Sequence, residues 1–374
     1  MAISQSVKQR PNGMWRARYR HPELGKEFAV HRPTQREAKD WLEEQITAIR
    51  TSTWVNPNDS KVTLAAFFAE WSERQIWAAG TVTAMNLAVR KCSFADVELG
   101  KLRGFHVEGW VKGMSAAGLA PGTIKTRFNN VRSVLRAAVS ASIIAKDPAT
   151  GVTLPRQRRA EAAMSIPTPD QVHALLDAAD DQWHVYLAVA AFTGLRLGEI
   201  SALQLADLDL KRGRLHVHRQ VQRATGGRIV ITPPKYGSER TVYLADDLVT
   251  LLAAHAGEGT HGAEQWLFTS TTGDPPHQNT VGYAWRSTAK RAKVDGFTLH
   301  DLRHFYASGL IAAGCDVVTV QRALGHAKAT TTLNTYSHLW PTAEDRTRAA
   351  AGELMRAARG LVADSEAPAD SLAQ

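Results

Sequence analysis

Between Leu154 and Asp170 the chain reads LPRQRRAEAAMSIPTPD, with prolines at 155, 167 and 169 and no apolar periodicity. Proline fixes φ, removes a backbone donor and biases the residue before it away from the helical region. No regular element can run through such a stretch, so no one core can be continuous across it. A chain of 374 residues has room for two or three domains, and this segment forces at least two. Residues 153–167 are expected to be an extended interdomain linker whose Arg156, Arg158 and Arg159 can track a phosphate backbone.

The residues before the linker divide again, because the hydrophobic period changes. In GMWRARYR, Trp15, Ala17 and Tyr19 alternate with Arg16, Arg18 and Arg20. That period of two predicts a strand with one apolar and one basic face. KEFAVHR is a second strand, joined through HPELG, and TQREAKDWLEEQITAI opens on a capping box, Thr34 and Glu37. Its apolar positions Ala38, Trp41, Leu42 and Ile46 recur at helical spacing and can cover a sheet. Residues 1–58 are therefore expected to form a small unit, a three-stranded sheet plus one helix. From Val7 to Arg36 there are eight Lys and Arg against two Glu. A basic sheet face suits a duplex, although positive charge also protects a solvated sheet edge.

After a polar, Pro-containing connection, residues 62–152 read as all-helical. The longest helix is expected in LAPGTIKTRFNNVRSVLRAAVSASII, ending at KDP (Lys146 to Pro148), with Ile124, Phe128, Val131, Val134, Leu135 and Ala138 on one face. Lys125, Arg127, Arg132 and Arg136 lie largely off that stripe and are candidates for a DNA backbone. Residues 168–362 form the largest domain, mostly helical, with short strands at RLHVH, RIVIT and RTVYL. The acidic tail 363–374 has the composition of a disordered segment. The expected fold is thus multidomain and mainly α with small β-sheets.

The net charge of +9 favours a polyanionic partner. Two cysteines, Cys92 and Cys315, allow neither a disulfide framework nor a Cys-rich zinc site. The N-terminus lacks an apolar signal region and no apolar run is long enough for a bilayer, so a cytoplasmic, membrane-free protein is expected.

No P-loop, dinucleotide-binding glycine motif, zinc-protease motif or nucleophile elbow occurs. Dispersed cations and a tyrosine remain. In TGLRLGE, Arg196 sits at a Gly-flanked bend between two helices, where an Arg is costly unless it meets an anion. Glu199 can orient it, or the pair can simply staple the helices. In PPKYGSERTVYL, Lys235 lies at a tight turn between two strand-like runs, a hairpin tip or a solvated loop. In TLHDLRHFYASGL, His300, Arg303 and His304 share a helix face. Two His four apart can bind metal. Here no Glu follows the first, and Arg303 would sit beside the ion, so no metal site is assigned. LGH places His326 just after a helix-ending Gly325, and TYSHL carries Tyr336 ten residues later.

Taken in order, TGLRLGE, a lysine between strands, HDLRH, LGH and TYSHL resemble the tyrosine site-specific recombinases, in particular the integrases of phages and mobile elements. The resemblance is strongest from Thr168 to about Leu339. It implies a catalytic set of Arg196, Lys235, His300, Arg303, His326 and Tyr336, with Glu199 supporting Arg196, and His304 is left structural. It also implies attack by the Tyr336 oxygen on a DNA phosphorus, giving a 3′-phosphotyrosine and a free 5′-hydroxyl. Arg196 and Arg303 would hold the non-bridging oxygens and His326 would donate to the phosphate. Lys235 would protonate the leaving oxygen, and His300 would assist proton movement at Tyr336. The scheme calls for no cofactor. Its partners would be double-stranded DNA at core and arm sites, a tetramer of the chain, and accessory DNA-bending and excision proteins.

By the same resemblance, residues 1–58 correspond to an arm-site domain and 62–152 to a core-site domain. A C-terminal apolar stripe (Leu354, Met355, Ala358, Leu361, Val362) would dock on a neighbouring subunit or on its own domain. The alternatives are a resolving recombinase with the same site, a DNA-binding regulator that has kept only the fold, and a metal-dependent nuclease using His300 and His304.

Overall fold

A computed structural model describes residues 3–51, 53–156, 164–223, 228–258, 264–340 and 343–359. The chain separates into two compact units, Met1–Ala163 and Met164–Gln374, and the break falls in the proline-rich segment. Arg158 and Arg159 lie outside the described residues, as do Leu361, Val362 and the tail 363–374.

The first unit holds two separate cores. Strands β1 (Gln5–Gln9), β2 (Trp15–Arg20) and β3 (Glu27–Arg32) form an antiparallel sheet in that order, with Arg18 opposite Ser6 and Ala29. Helix α1 (Gln35–Arg50) starts where Thr34 Oγ1 accepts the Glu37 amide at 3.2 Å, half of the expected box. Its Ala38, Leu42 and Ile46 bury Ala17 and Tyr19. Alternation thus leaves the arginines of β2 on the other face, as the period of two predicts.

The second core belongs to α2 (Leu64–Glu73), α3 (Ala79–Arg90), α4 (Gly104–Ala116) and α5 (Pro121–Ser140). All six apolar positions expected on α5 are buried. However, α5 stops at Ser140, short of Lys146. Ser142 turns left-handed at φ +56°, its amide reaches Val139 O, and the Ile143 amide reaches Ala138 O. That pair of bonds closes the helix as a Schellman turn, so the proline is not the terminator.

The second unit is built around α7 (Asp181–Thr193), which follows α6 (Pro169–Asp177). Every residue of α7 from Val185 to Ala191 is buried, as expected of a helix packed on all sides. After α8 (Leu197–Ser201), β4 (Leu208–Asp209), β5 (Arg214–Val217) and β8 (Arg240–Tyr243) make one antiparallel sheet, while β6 (Gln220–Arg223) and β7 (Ile229–Thr232) make another. Here the structure departs from the expected pairing. RIVIT and RTVYL are not two arms of a hairpin: the first pairs with β6 and the second with β5. Lys235 therefore sits in a short helical turn that carries the chain from one sheet to the other.

Helices α9 (Asp246–Glu258), α10 (Gln278–Ala292), α11 (Leu299–Ala312), α12 (Val317–Leu324), α13 (Ala329–Tyr336) and α14 (Ala343–Ala358) complete the unit. Among the described residues, no helix is long and apolar enough to cross a membrane.

Candidate active site

Two helices end on glycines in the left-handed region, α7 at Gly194 (φ +63°) and α12 at Gly325 (φ +64°). A Cβ at Gly194 would lie 2.5 Å from the Tyr306 ring, and one at Gly325 would lie 2.7 Å from Arg240 Nη1. Only glycine fits both the turn and the space. The carbonyls freed at these ends then become the floor of a cationic site. Arg303 Nη1 donates to Gly194 O and its Nη2 donates to Leu324 O at 2.7 Å. Arg196 Nη2 donates to Gly325 O at 3.0 Å, and Arg240 Nε donates to Ala323 O at 3.1 Å. The negative end of a helix dipole is a favourable place for such cations.

Glu199 ties the arginines together. It is fully buried and accepts from the Arg196 amide at 2.9 Å, Arg196 Nη1 at 2.7 Å and Arg240 Nη2 at 2.9 Å. Burial alone would raise its carboxyl. The hydrogen bond and charge of Arg240, followed by the charge of Arg196, bring it below the usual carboxylate range. Arg196 Nη1 also donates to Ser238 Oγ at 3.2 Å, which fastens the turn that bears Lys235. Lys235 itself is exposed.

Burial and neighbouring cations together lower three groups of the pocket. Burial, then the charge of Arg196, lowers Arg303 to about 9. Burial, then Arg303 and Arg196, lowers His326 to about 4. His300, at the open edge, is held well below its ordinary value by desolvation and by the charges of His304 and Arg303. Burial is the larger cause of each shift and the neighbouring cations add to it, a combination that an entering anion would relieve. His326 is aimed by Thr332, a fully buried hydroxyl 2.9 Å from its Nδ1.

Tyr336, the last residue of α13, is 1% exposed and packs with Ala307, Ile311, Val320 and Leu324. Burial pushes its hydroxyl up to about 12, and Arg303 offsets only part of this. The hydroxyl lies 2.7 Å from His304 Nδ1. His304, left structural on the sequence alone, thus meets the tyrosine oxygen directly. The ring of His300, expected beside the tyrosine, packs edge-on against His304 at 5.0 Å. Arg196, His300, Arg303, His326 and Tyr336 thus gather at one site, and Lys235 stands on a turn anchored to it.

The candidate DNA-contacting residues are scattered by comparison. Arg16 and Arg18 reach Glu27 at 2.9 and 3.0 Å, and Arg20 is exposed. On α5, Lys125 and Arg136 are exposed and Arg127 is half-buried, whereas Arg132 is engaged with Asp147 at 2.9 Å. Arg156 is exposed.

Sequence reasoning passed over three residues of the site: Arg240, Thr332 and His304. Thr332 carried a signal, because it lies one helical turn before Tyr336 and so shares its face. His304 shares a face with His300 and Arg303, but nothing in the sequence brings it to a residue thirty-two positions away. Arg240 read as one more strand cation.

The description Phage integrase family matches residues 167–342. A Mycobacterium tuberculosis protein described as a prophage phiRv2 integrase is 24% identical over 347 residues, covering 89% of this chain and 90% of the relative. The Tn1549 transposon integrase, solved with a circular intermediate DNA, superposes with a TM-score of 0.68 at 20% identity, covering 78% of this chain and 99% of that one. A lambda integrase tetramer bound to a Holliday junction gives a TM-score of 0.56 at 20% identity, over 87% and 96% of the two chains.

Proposed function

The chain belongs to the tyrosine site-specific recombinases, in the branch of phage and mobile-element integrases, and from that premise we propose that it recombines double-stranded DNA at attachment sites through a 3′-phosphotyrosine, integrating a mobile genome. The observation that carries this reading is the juxtaposition of Tyr336 with the Arg196–Glu199–Arg240–Arg303 cluster on two helix ends.

Each residue then has a task that its surroundings suit. The fixed guanidinium groups of Arg196 and Arg303 hold the two non-bridging oxygens and stabilise the charge that develops at phosphorus. His326, aimed by Thr332, donates to the same phosphate. Lys235, on a turn able to reach a groove, gives a proton to the departing 5′ oxygen. Arginine supplies the positive charge of this scheme, and the phosphotyrosine ester conserves the energy of the broken strand. A 5′-hydroxyl from the partner duplex reclaims it, so strands exchange in pairs through a Holliday junction without nucleotide hydrolysis.

Four protomers are needed for two duplexes. The exposed Leu354 (72%) and Met355 (52%) of α14 support docking on a neighbour, as does the tetrameric state of the lambda relative. The basic face of β2 is assigned to arm-type sites and α5 to core-type sites. The N-terminal sheet unit favours an integrase over a resolving enzyme content with core sites. Accessory bending and excision proteins would complete the reaction in each direction.

A suicide duplex nicked beside its core site tests this. Wild-type protein is expected to give a denaturant-resistant protein–DNA adduct mapping to Tyr336, in EDTA as well as without it. Tyr336→Phe should bind the duplex equally and give none. An adduct at another residue, or none with wild-type protein, would overturn the reading.

A further inference from the structure

We propose that His304, not His300, is the base that takes the proton from Tyr336. The inference rests on the recombinase reading above and deepens it by naming the proton acceptor. Of the histidines at the site, it is His304 whose ring nitrogen meets the tyrosine oxygen, Nδ1 to Oη at 2.7 Å. The two rings stand at 64° with centroids 5.6 Å apart, so the contact is made in the imidazole plane direction rather than by stacking.

His300 is one turn earlier on α11, and its ring packs edge-on against His304, with centroids 5.0 Å apart. The contact of the tyrosine oxygen is with His304 and not with His300, so the proton is assigned to His304.

The electrical setting suits a base. On its own helix His304 faces His300, Asp301 and Arg303, and from α13 it faces Tyr336. Desolvation lowers it below the ordinary histidine value, Asp301 acts to raise it, and Arg303 to lower it. The lowered value keeps the imidazole neutral at neutral pH, and the proposed transfer requires the tautomer that carries its hydrogen on Nε2 and leaves Nδ1 to accept. Its partner needs help, since a hydroxyl titrating at about 12 is almost wholly protonated there.

In the cleavage step the bond from Oη to phosphorus forms and the bond from phosphorus to the 5′ oxygen breaks. The tyrosine proton moves to His304 Nδ1, and the 5′ oxygen takes a proton from Lys235. Religation runs the same transfers backwards. Because His304 touches the attacking atom, it is a catalytic residue in this scheme.

The test is single-turnover cleavage of the nicked duplex from about pH 6 to about pH 9. His304→Asn keeps a hydrogen-bonding atom near the Nδ1 position but is no base. At pH 7 it should lose about a hundredfold in cleavage rate, the usual scale for a positioned base, while duplex affinity stays unchanged. Wild-type cleavage should be level above pH 7, whereas the variant's should keep climbing with pH as hydroxide replaces the missing acceptor.

Nitrogen NMR of the wild-type chain gives a second reading that no substitution can confound: the His304 Nδ1 signal should be that of an unprotonated, accepting nitrogen. Cleavage by His304→Asn at the wild-type rate would overturn the inference. So would faster cleavage, which would mean that His304 merely stows the hydroxyl, or a protonated Nδ1. If wild-type protein forms no adduct at all, the recombinase reading has failed instead, and the two failures are distinct.

Discussion

Two glutamates in this molecule each hold a pair of arginines, and they do it under opposite conditions. Glu199 bridges Arg196 and Arg240 with no exposed side-chain surface, and Arg240 is 7% exposed. Glu27 bridges Arg16 and Arg18 on the open face of the N-terminal sheet, where all three side chains are a third or more exposed. The bond lengths are alike, from 2.7 to 3.0 Å. What differs is the dielectric. In the buried case every donor and acceptor is fixed, and neither partner can be removed without stranding a charge. In the exposed case water and salt replace either partner at small cost. The first arrangement suits a site that must present charge to one phosphate in one geometry. The second would suit the proposed arm-site surface, which would trade an internal ion pair for DNA phosphates.

Glu199→Gln should separate the two cases most clearly. Losing the acid from a buried pair costs about 3–5 kcal/mol, and thermal or denaturant unfolding should show a loss on that scale. The acid limb supplies an independent check. Because the Glu199 carboxyl titrates below its ordinary value in the folded state, its contribution is fully present above about 4.5. It is lost as pH falls through the folded value. The stability gap between wild type and variant should therefore narrow in that acid window and stay wide at neutral pH. A gap indifferent to pH would mean that Glu199 acts through packing alone.

The N-terminal arginines should respond differently. Replacing Arg16, Arg18 and Arg20 together with Ala should leave adduct formation on an isolated core site unchanged and abolish binding to a distant, arm-type site. Each phosphate that is no longer neutralised lowers the slope of log affinity against log salt by about 0.9, so single Arg→Ala changes titrated in salt show which of the three meets DNA. Unaltered arm-site binding would remove the DNA assignment from this face.

How far each region was legible in the sequence follows the same division. The β2 alternation and the apolar stripe of α5 were readable because burial there depends on local period, and Ala17, Tyr19 and the six α5 positions are all buried. The two compact units part within the proline-rich segment. Lys235 was located but its setting was misjudged, because which strand pairs with which is decided across the whole unit rather than within PPKYGSERTVYL. Arg132, a candidate for a DNA backbone, is engaged with Asp147, fifteen residues away. The arginines proposed as catalytic were legible through their motif order, and Glu199 as a partner of Arg196, yet the rest of what holds them was not. Gly194 O, Leu324 O and Gly325 O are backbone groups and carry no signature of their own. Arg240 and His304 matter through partners forty-one and thirty-two residues distant, and a single sequence does not record such meetings.

The exposed glutamate should give the mildest phenotype, and it carries the most information about the sheet. Glu27→Gln should change folding stability by less than about 1 kcal/mol, because exposed pairs contribute little. Its effect on DNA should exceed its effect on folding and have the opposite sign from that of an arginine loss. With the competing carboxylate gone, Arg16 and Arg18 would no longer have to leave a partner before meeting phosphate, and one negative charge is removed from the face proposed to meet the duplex. Arm-site affinity should therefore rise several-fold at low salt, with the gain fading as salt screens it. If affinity falls instead, Glu27 is positioning the two arginines, as Glu199 does in the catalytic unit. The contrast between the two glutamates would then be one of burial without a difference in role.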